Sequence, residues 1–485
     1  MSSDIPTTVD VGSVTEWSDE VDVLVIGFGI AGGCAAVEAA ALGAKVLVLE
    51  RAAVAGGTSA MAGGHFYLGG GTVVQKATGH EDSPDEMFKY LLQVTPHPEP
   101  DKIRDYCEGS VSHCDWLEAL GFQFERSYYP EKAVIQPGTQ GLMFTGNEKV
   151  WPYKLNAVPA PRGHKVPVPG DTQGAGLVTG LLEKKAIELG VELRFETGAM
   201  QLVLDGARVV GVAWRRFEET GFIKAKAVAI CAGGFVMNPE MVAEHTPELA
   251  KKPFTLGSTY DDGLGIRLGQ SVGGQALHMD EAFITAPVYP PSILLTGIIV
   301  NKLGQRFCCE DGYHSRTSGY VMDQPDQAAY LIVDSEHIEH PIFSLTPFID
   351  GWETVEEMEA GLGLPEGSLV KTLGDYNEHA ARGDDPEFHK SDPWVQPQTV
   401  GPWGAFDLTL GKALYAGFTL GGLRTSRFGQ VLREDGSIID GLYAAGACAA
   451  NIAQDGKGYS SGTQLGEGSF FGRAAGRHAA SHPSG

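Results

Sequence analysis

The chain has 485 residues, 43% of them hydrophobic and 65 of them glycine, enough for about two to four domain-sized units and a large buried core. Its 36 Lys and Arg against 61 Asp and Glu give a net charge of −25, which excludes a basic footprint for nucleic acid or an anionic membrane surface. Seven scattered cysteines without C-x-x-C spacing speak against zinc, iron–sulfur and haem sites.

The amino-terminal segment MSSDIPTTVDVGSVTEW has neither a basic n-region nor an apolar h-region, and no stretch is apolar for long enough to cross a bilayer. The expectation is a cytoplasmic protein. Val21 to Ile26 is a short apolar run rich in β-branched residues, the pattern of a strand buried on both faces of a parallel sheet. It runs into Gly27-Phe28-Gly29-Ile30-Ala31-Gly32, then an alanine-rich helix to Leu42 that stops at Gly43. Lys45 to Leu49 forms a second buried strand closed by Glu50, which completes a βαβ unit.

Gly56 to Gly64 (GGTSAMAGG) reads as a second glycine-rich loop, residues 84 to 120 as helical, and 127 to 173 as irregular. A helix from Gly174 to about Leu189 precedes strands at Val191 to Phe195, Met200 to Leu204, Val209 to Trp214 and Ala225 to Ile230, a β-meander that ends at Cys231-Ala232-Gly233-Gly234. Residues 282 to 411 differ in character, with helical stretches at 353 to 361 and 365 to 382 and no second glycine fingerprint. They are expected to form an inserted lid. Buried, glycine-punctuated sequence resumes at Phe418 to Gly422 and Gly441 to Gly446, and a helix starts near Gly462.

The G-x-G-x-x-G run gains meaning from its context, since it follows a strand, opens a helix, and has an acid eighteen residues beyond its last glycine. Gly27 allows the tight turn, Gly29 lets a pyrophosphate reach backbone amides at the positive helix end, and Gly32 lets helix and strand pack closely. Glu50 is placed to accept hydrogen bonds from a ribose. Because the carboxyl-terminal eighty or so residues return to this unit, FAD is favoured over NAD.

The fingerprint, the GGTSAMAGG loop, Asp261 to Arg267, the TLGGL and GLYAAG segments, and Gly472 to Gly476 together resemble the fumarate reductase and 3-ketosteroid dehydrogenase flavoprotein superfamily over nearly the whole chain. The resemblance implies an α/β fold in which a Rossmann-like FAD-binding domain, a parallel sheet plus β-meander, is interrupted by an α+β capping and catalytic domain. The implied division is 1–281 and 412–485 for the FAD-binding domain and 282–411 for the cap. It implies non-covalent FAD, because Thr58 stands near the position where succinate dehydrogenases carry a linking histidine. The implied FAD contacts are Gly27, Gly29, Ile30, Ala31, Gly32, Glu50, Arg51, Gly57, Thr58, Ser59, Gly63, Gly64, Ala232, Gly233, Asp262, Gly446, Ala447, Ser461, Gly462 and Leu465.

The sequence departs from the fumarate reductase pattern where a dicarboxylate would be clamped: Gly456-Lys457-Gly458-Tyr459-Ser460-Ser461-Gly462 offers hydroxyls in place of an arginine. Tyr459 and Ser461, with Tyr313 of the lid, are similar instead to the 3-ketosteroid Δ4-(5α)-dehydrogenase branch. There the resemblance implies that Tyr459 bonds the C3 ketone oxygen, Ser461 takes the C4 proton, Tyr313 relays it, and flavin N5 accepts the hydride from C5. The physical logic is independent of the family: a proton beside a ketone leaves only when the carbonyl is polarised, and a serine needs a partner to share that proton.

An aromatic–hydroxyl cluster at a helix start also serves capping and core packing. His314 and Tyr320 compete with Tyr313 for the relay, and His164 and the Cys308–Cys309 pair carry no assigned role. The expected partners are a small apolar, steroid-like ketone and an electron acceptor of unspecified kind, with no nucleic acid. Alternatives are a 3-ketosteroid Δ1-dehydrogenase, a fumarate- or enoate-type reductase, and a non-catalytic electron-transfer subunit.

Overall fold

The computed structural model describes residues 4–251 and 254–482; the first three residues of the amino-terminal segment lie outside that set. Its frame is a nine-stranded sheet built around Asp19–Ile26. On one side this strand runs parallel to Val46–Leu49, with Val23 opposite Val46 and Ile26 opposite Leu49, and that strand is parallel to Glu192–Arg194. On the other side Asp19–Ile26 runs parallel to Glu219–Ile230, which then turns through antiparallel pairings with Arg208–Arg216 and, beyond it, Gly198–Asp205. The expected βαβ unit and meander therefore form a single sheet. Val23, Leu24, Val25, Val46, Leu47, Val48 and Leu49 are all buried, as sequences sandwiched on both faces require.

The carboxyl-terminal strand Ile438–Ala444 adds to this sheet in parallel with the end of Glu219–Ile230, Leu442 lying opposite Val228 and Ala444 opposite Ile230. The closing helix Thr463–Ser481 then lies against the first helix, Ile30–Ala41. Small residues permit this approach: a Cβ on Gly472 would sit 2.3 Å from the Ala31 carbonyl oxygen, and one on Gly476 2.2 Å from that of Ala35. Glu38 of the first helix closes the contact through Arg473 at 2.8 Å and through Arg477.

The lid holds a four-stranded antiparallel sheet, Ile298–Asn301, Ala329–Val333, Trp403–Asp407 and Phe348–Trp352. Helices Val355–Leu362 and Ser368–Ala380 cover it around Ile298, Val300, Ile332, Leu369 and Leu373. Two strands that flank this region in the sequence, Ala282–Thr285 and Ala416–Thr419, pair antiparallel and bring Phe283 opposite Phe418.

Three local expectations are corrected. The GGTSAMAGG segment contains a short helix, Gly57–Met61, that begins where Gly56 takes φ +107°. Residues 84 to 120 form two helices, Pro84–Val94 and Pro100–Glu118, because Pro96 and Pro98 interrupt them. The stretch 127 to 173 is not wholly irregular: Leu142–Met143 and Gly163–Lys165 join His65–Tyr67 in a small sheet. That pairing links segments some hundred residues apart in the chain, and no local periodicity carries it.

Candidate active site

The carboxyl ends of the central strands and the inner face of the lid enclose a cavity of about 770 Å³. At one end Glu50 terminates its strand, its carboxylate fixed by the amides of Phe28 and Ala52, each at 2.8 Å. Gly27 takes φ +95°, and a Cβ there would meet the Cys231 carbonyl oxygen at 2.4 Å, so the turn admits only glycine. The first helix opens on Gly29 with no side-chain cap, except that the Ser59 hydroxyl accepts the Ile30 amide at 3.0 Å. Unfilled amide donors at a positive helix end, a glycine cradle and a fixed carboxylate at the strand tip fit the pyrophosphate and ribose of a dinucleotide.

Of the expected FAD contacts, all but Gly32 and Asp262 line the cavity. Gly32 is instead a packing residue, since its Cβ would fall 1.9 Å from the Gly27 carbonyl oxygen. Asp262 is turned to Arg51, with which it pairs at 2.8 Å, and accepts the Leu264 amide at 3.0 Å. Its neighbour Asp261 faces the cavity, accepting a 2.5 Å hydrogen bond from Thr58. Burial pushes the Asp261 carboxyl up to about 6, with the Thr58 bond opposing and Asp262 and Glu50 adding to the rise.

The other end of the cavity is aromatic and uncharged. Phe283 and Phe418 stack with centroids 4.7 Å apart and planes 11° apart, and Tyr459 meets Phe283 edge-on at 4.8 Å. The Tyr313 hydroxyl lies 2.5 Å from Ser461 Oγ, so the lid and the turn before the closing helix meet at one hydroxyl pair. Tyr313, Tyr459 and Ser461 all line the cavity. Burial raises the phenols of Tyr313 and Tyr459 above their ordinary value, so both are proton donors at neutral pH.

His314 also lines this end, its ring 3.9 Å from that of Tyr313. Burial, reinforced by the charge of Lys132, lowers it to about 3, and its Nδ1 is engaged by Thr285 at 2.6 Å. It is a neutral wall residue. Tyr320 lies outside the cavity, stacked under Arg316 and Lys457. The buried His164 bonds Thr72 and the Arg162 carbonyl.

Among the described residues that line the cavity, Arg51 is the sole guanidinium, and it sits at the Glu50 end. The lid arginines are engaged elsewhere: Arg306 is buried against Glu310 and Asp385, Arg316 is bonded to Tyr153, and Arg382 pairs with Glu378. Sequence reasoning missed Phe283, Thr285 and Phe418. They sit where two strands 130 or so residues apart pair, a contact without a local signal.

Residues 22–468 match the model of the FAD binding domain family. The structure superposes on a 3-ketosteroid-Δ4-(5α)-dehydrogenase of Rhodococcus jostii RHA1, crystallised with 4-androstene-3,17-dione. Its TM-score is 0.90 at 39% identity, covering 98% of this chain and 99% of that one. A 3-oxo-5-alpha-steroid 4-dehydrogenase of Comamonas testosteroni is 27% identical over 90% of this chain and 95% of its own. A probable fumarate reductase of Shewanella frigidimarina is 27% identical over 96% of this chain and 76% of its own.

Proposed function

The chain belongs to the FAD binding domain family and is a flavoprotein oxidoreductase acting on CH–CH groups, and on that premise we propose that it desaturates the C4–C5 bond of a 5α-3-ketosteroid. The observation that carries the reading is the 2.5 Å Tyr313–Ser461 hydroxyl pair, which lines the same aromatic, cation-free end of the cavity as Tyr459. Bound FAD supplies the two-electron acceptor for the hydride that leaves C5. Tyr459 donates a hydrogen bond to the C3 ketone oxygen, which makes the C4 proton removable and holds the developing enolate. Ser461 takes that proton at Oγ while its own passes to Tyr313 and the Tyr313 phenolic proton moves on toward solvent, a relay that leaves both hydroxyls neutral in an apolar pocket.

The stacked Phe283–Phe418 wall suits a flat, apolar ring system. A dicarboxylate would need guanidinium partners at this end, which the cavity-lining residues do not offer. The cofactor contacts belong to the same reading: the cavity-lining residues of the fingerprint, the Gly57–Gly64 segment, Gly446 and Gly462 hold FAD, and Asp261 takes the place expected of Asp262. So does the division of the chain at 282 and 411, which the paired strands Ala282–Thr285 and Ala416–Thr419 support.

Anaerobic mixing with the 5α-reduced counterpart of 4-androstene-3,17-dione is expected to bleach the flavin and yield the 4-ene-3-one. An oxidised flavin after prolonged mixing would sink the assignment, and a 1-ene product would move the chemistry to C1–C2.

A further inference from the structure

Tyr313 and Ser461 are 148 residues apart in the chain and belong to separate segments, so their contact needs an anchor common to both. The tripeptide Thr145-Gly146-Asn147 touches each of them. Asn147 is wholly buried; its Oδ1 accepts the Tyr313 amide at 2.8 Å and its Nδ2 donates to the Lys457 carbonyl at 3.4 Å, two residues before Tyr459. Its own amide donates to the Tyr90 hydroxyl at 2.8 Å, and that oxygen lies 3.3 Å from Ser460 Oγ. The Ser461 amide donates to the Thr145 carbonyl at 2.9 Å.

Between them Gly146 leaves no spare space, since a Cβ there would stand 2.0 Å from Ser460 Oγ and 2.8 Å from the Tyr90 hydroxyl. The tripeptide is therefore wedged against the segment carrying Tyr459 and Ser461 while it holds the backbone of Tyr313. None of its three residues lines the cavity. A second tie, Ser315 Oγ to the Gly456 carbonyl at 2.6 Å, joins the same two segments but does not act on Tyr313 itself.

We propose that Asn147 is a positioning residue that sets the distance between the Tyr313 and Ser461 hydroxyls, and through it the rate of proton removal from the substrate. The side chain suits the task because a planar amide presents an acceptor and a donor in fixed directions without a charge to bury. Asp would lose the arm to Lys457, and Leu would lose both. The inference rests on the reading of Tyr313 and Ser461 as the proton path.

The test is a double-mutant cycle on the FAD-loaded protein, with the rate of flavin reduction by the same 5α-3-ketosteroid as the signal and FAD content as the control. Asn147→Ala is expected to slow reduction by ~10–100-fold, the effect of a displacement of about 1 Å. It should leave FAD content unchanged and raise the solvent isotope effect. In a Tyr313→Phe background the same change is expected to add less than about twofold, because the partner it positions is already lost.

An unchanged rate in Asn147→Ala, or an equal loss in both backgrounds, overturns the positioning role. Full activity of Tyr313→Phe alone overturns the proton path beneath it, and the two failures are read from different variants. Should Asn147→Ala not accumulate as holoprotein, Asn147→Ser, which reaches neither Tyr313 nor Lys457, is read in the same cycle.

Discussion

Tyr459 presents an uncharged phenol to the cavity, and its oxygen accepts only a long contact of 3.4 Å from the Gln464 amide. Its proton is thus available to a ketone. Replacement by Phe removes that donor and leaves the edge-on packing against Phe283, so FAD binding should persist. The rate of flavin reduction should fall by about 10²–10³, the usual consequence of losing an oxyanion donor. Stopped-flow reduction of the Tyr459→Phe holoprotein checks this, and a rate within twofold of the parent removes Tyr459 from the chemistry. At this scale the sequence was legible for types and not for partners. The Tyr-Ser-Ser run pointed to hydroxyl chemistry, whereas the placing of Tyr313 in the cavity and of Tyr320 outside it depended on how the helix His314–Met322, which Tyr313 precedes, packs in the fold.

At the scale of elements, glycines divide into those that turn the chain and those that let two elements touch. Gly43 takes φ +89° with open space around its absent Cβ, so Gly43→Ala meets only the left-handed backbone penalty of about 1–2 kcal/mol. Gly32 lies inside the first helix, and a Cβ there would collide with the backbone at the Gly27 turn. Gly32→Ala must push the helix off the strand and disturb the amides that face the pyrophosphate. Thermal melts with FAD release should therefore show the Gly32 variant losing flavin, and the Gly43 variant keeping it with a modestly lower Tm. Equal FAD retention in both would separate the fingerprint from the cofactor. The βαβ unit was legible because hydrophobic runs, a glycine turn and a terminal acid are all local features. The small sheet of His65–Tyr67 with residues 142–165 was not, since short strands of two or three residues have no period to read.

At the scale of the molecule, the closing helix joins the end of the chain to its beginning and brings a buried carboxyl with it. Glu467 accepts the amides of Ile452 at 2.7 Å and Ala453 at 3.3 Å, and so holds the segment that leads to Tyr459. Burial raises it from 4.5 to about 8 despite these bonds and the charge of Lys102. A carboxyl whose pKa is higher folded than unfolded stabilises the fold fully below the unfolded value, and that contribution is lost as pH rises through the folded one. Asp261, at about 6, and Glu281, at about 7, act in the same direction. Buried histidines such as His314, held well below their ordinary value, act in the opposite sense up to about pH 6.5, so the Tm of the apoprotein is expected to fall over about pH 7 to 8.5, and Glu467→Gln should flatten that decline. A variant as pH-dependent as the parent would show that this carboxyl does not titrate with folding.

The amino-acid sequence by itself determined the dinucleotide turn, the two buried strands beside it and the hydroxyl-rich stretch before the last helix. Each of these is written in neighbouring residues, through hydrophobic period, glycine placement and side-chain chemistry. Only the tertiary structure decided that Asp261 and not Asp262 faces the cavity, that Phe283 and Phe418 stack to wall it, and that Asn147 ties Tyr313 to the segment of Ser461. Those relations depend on which residues of distant segments share a face once strands pair, and a single residue of register reverses that outcome without changing the composition.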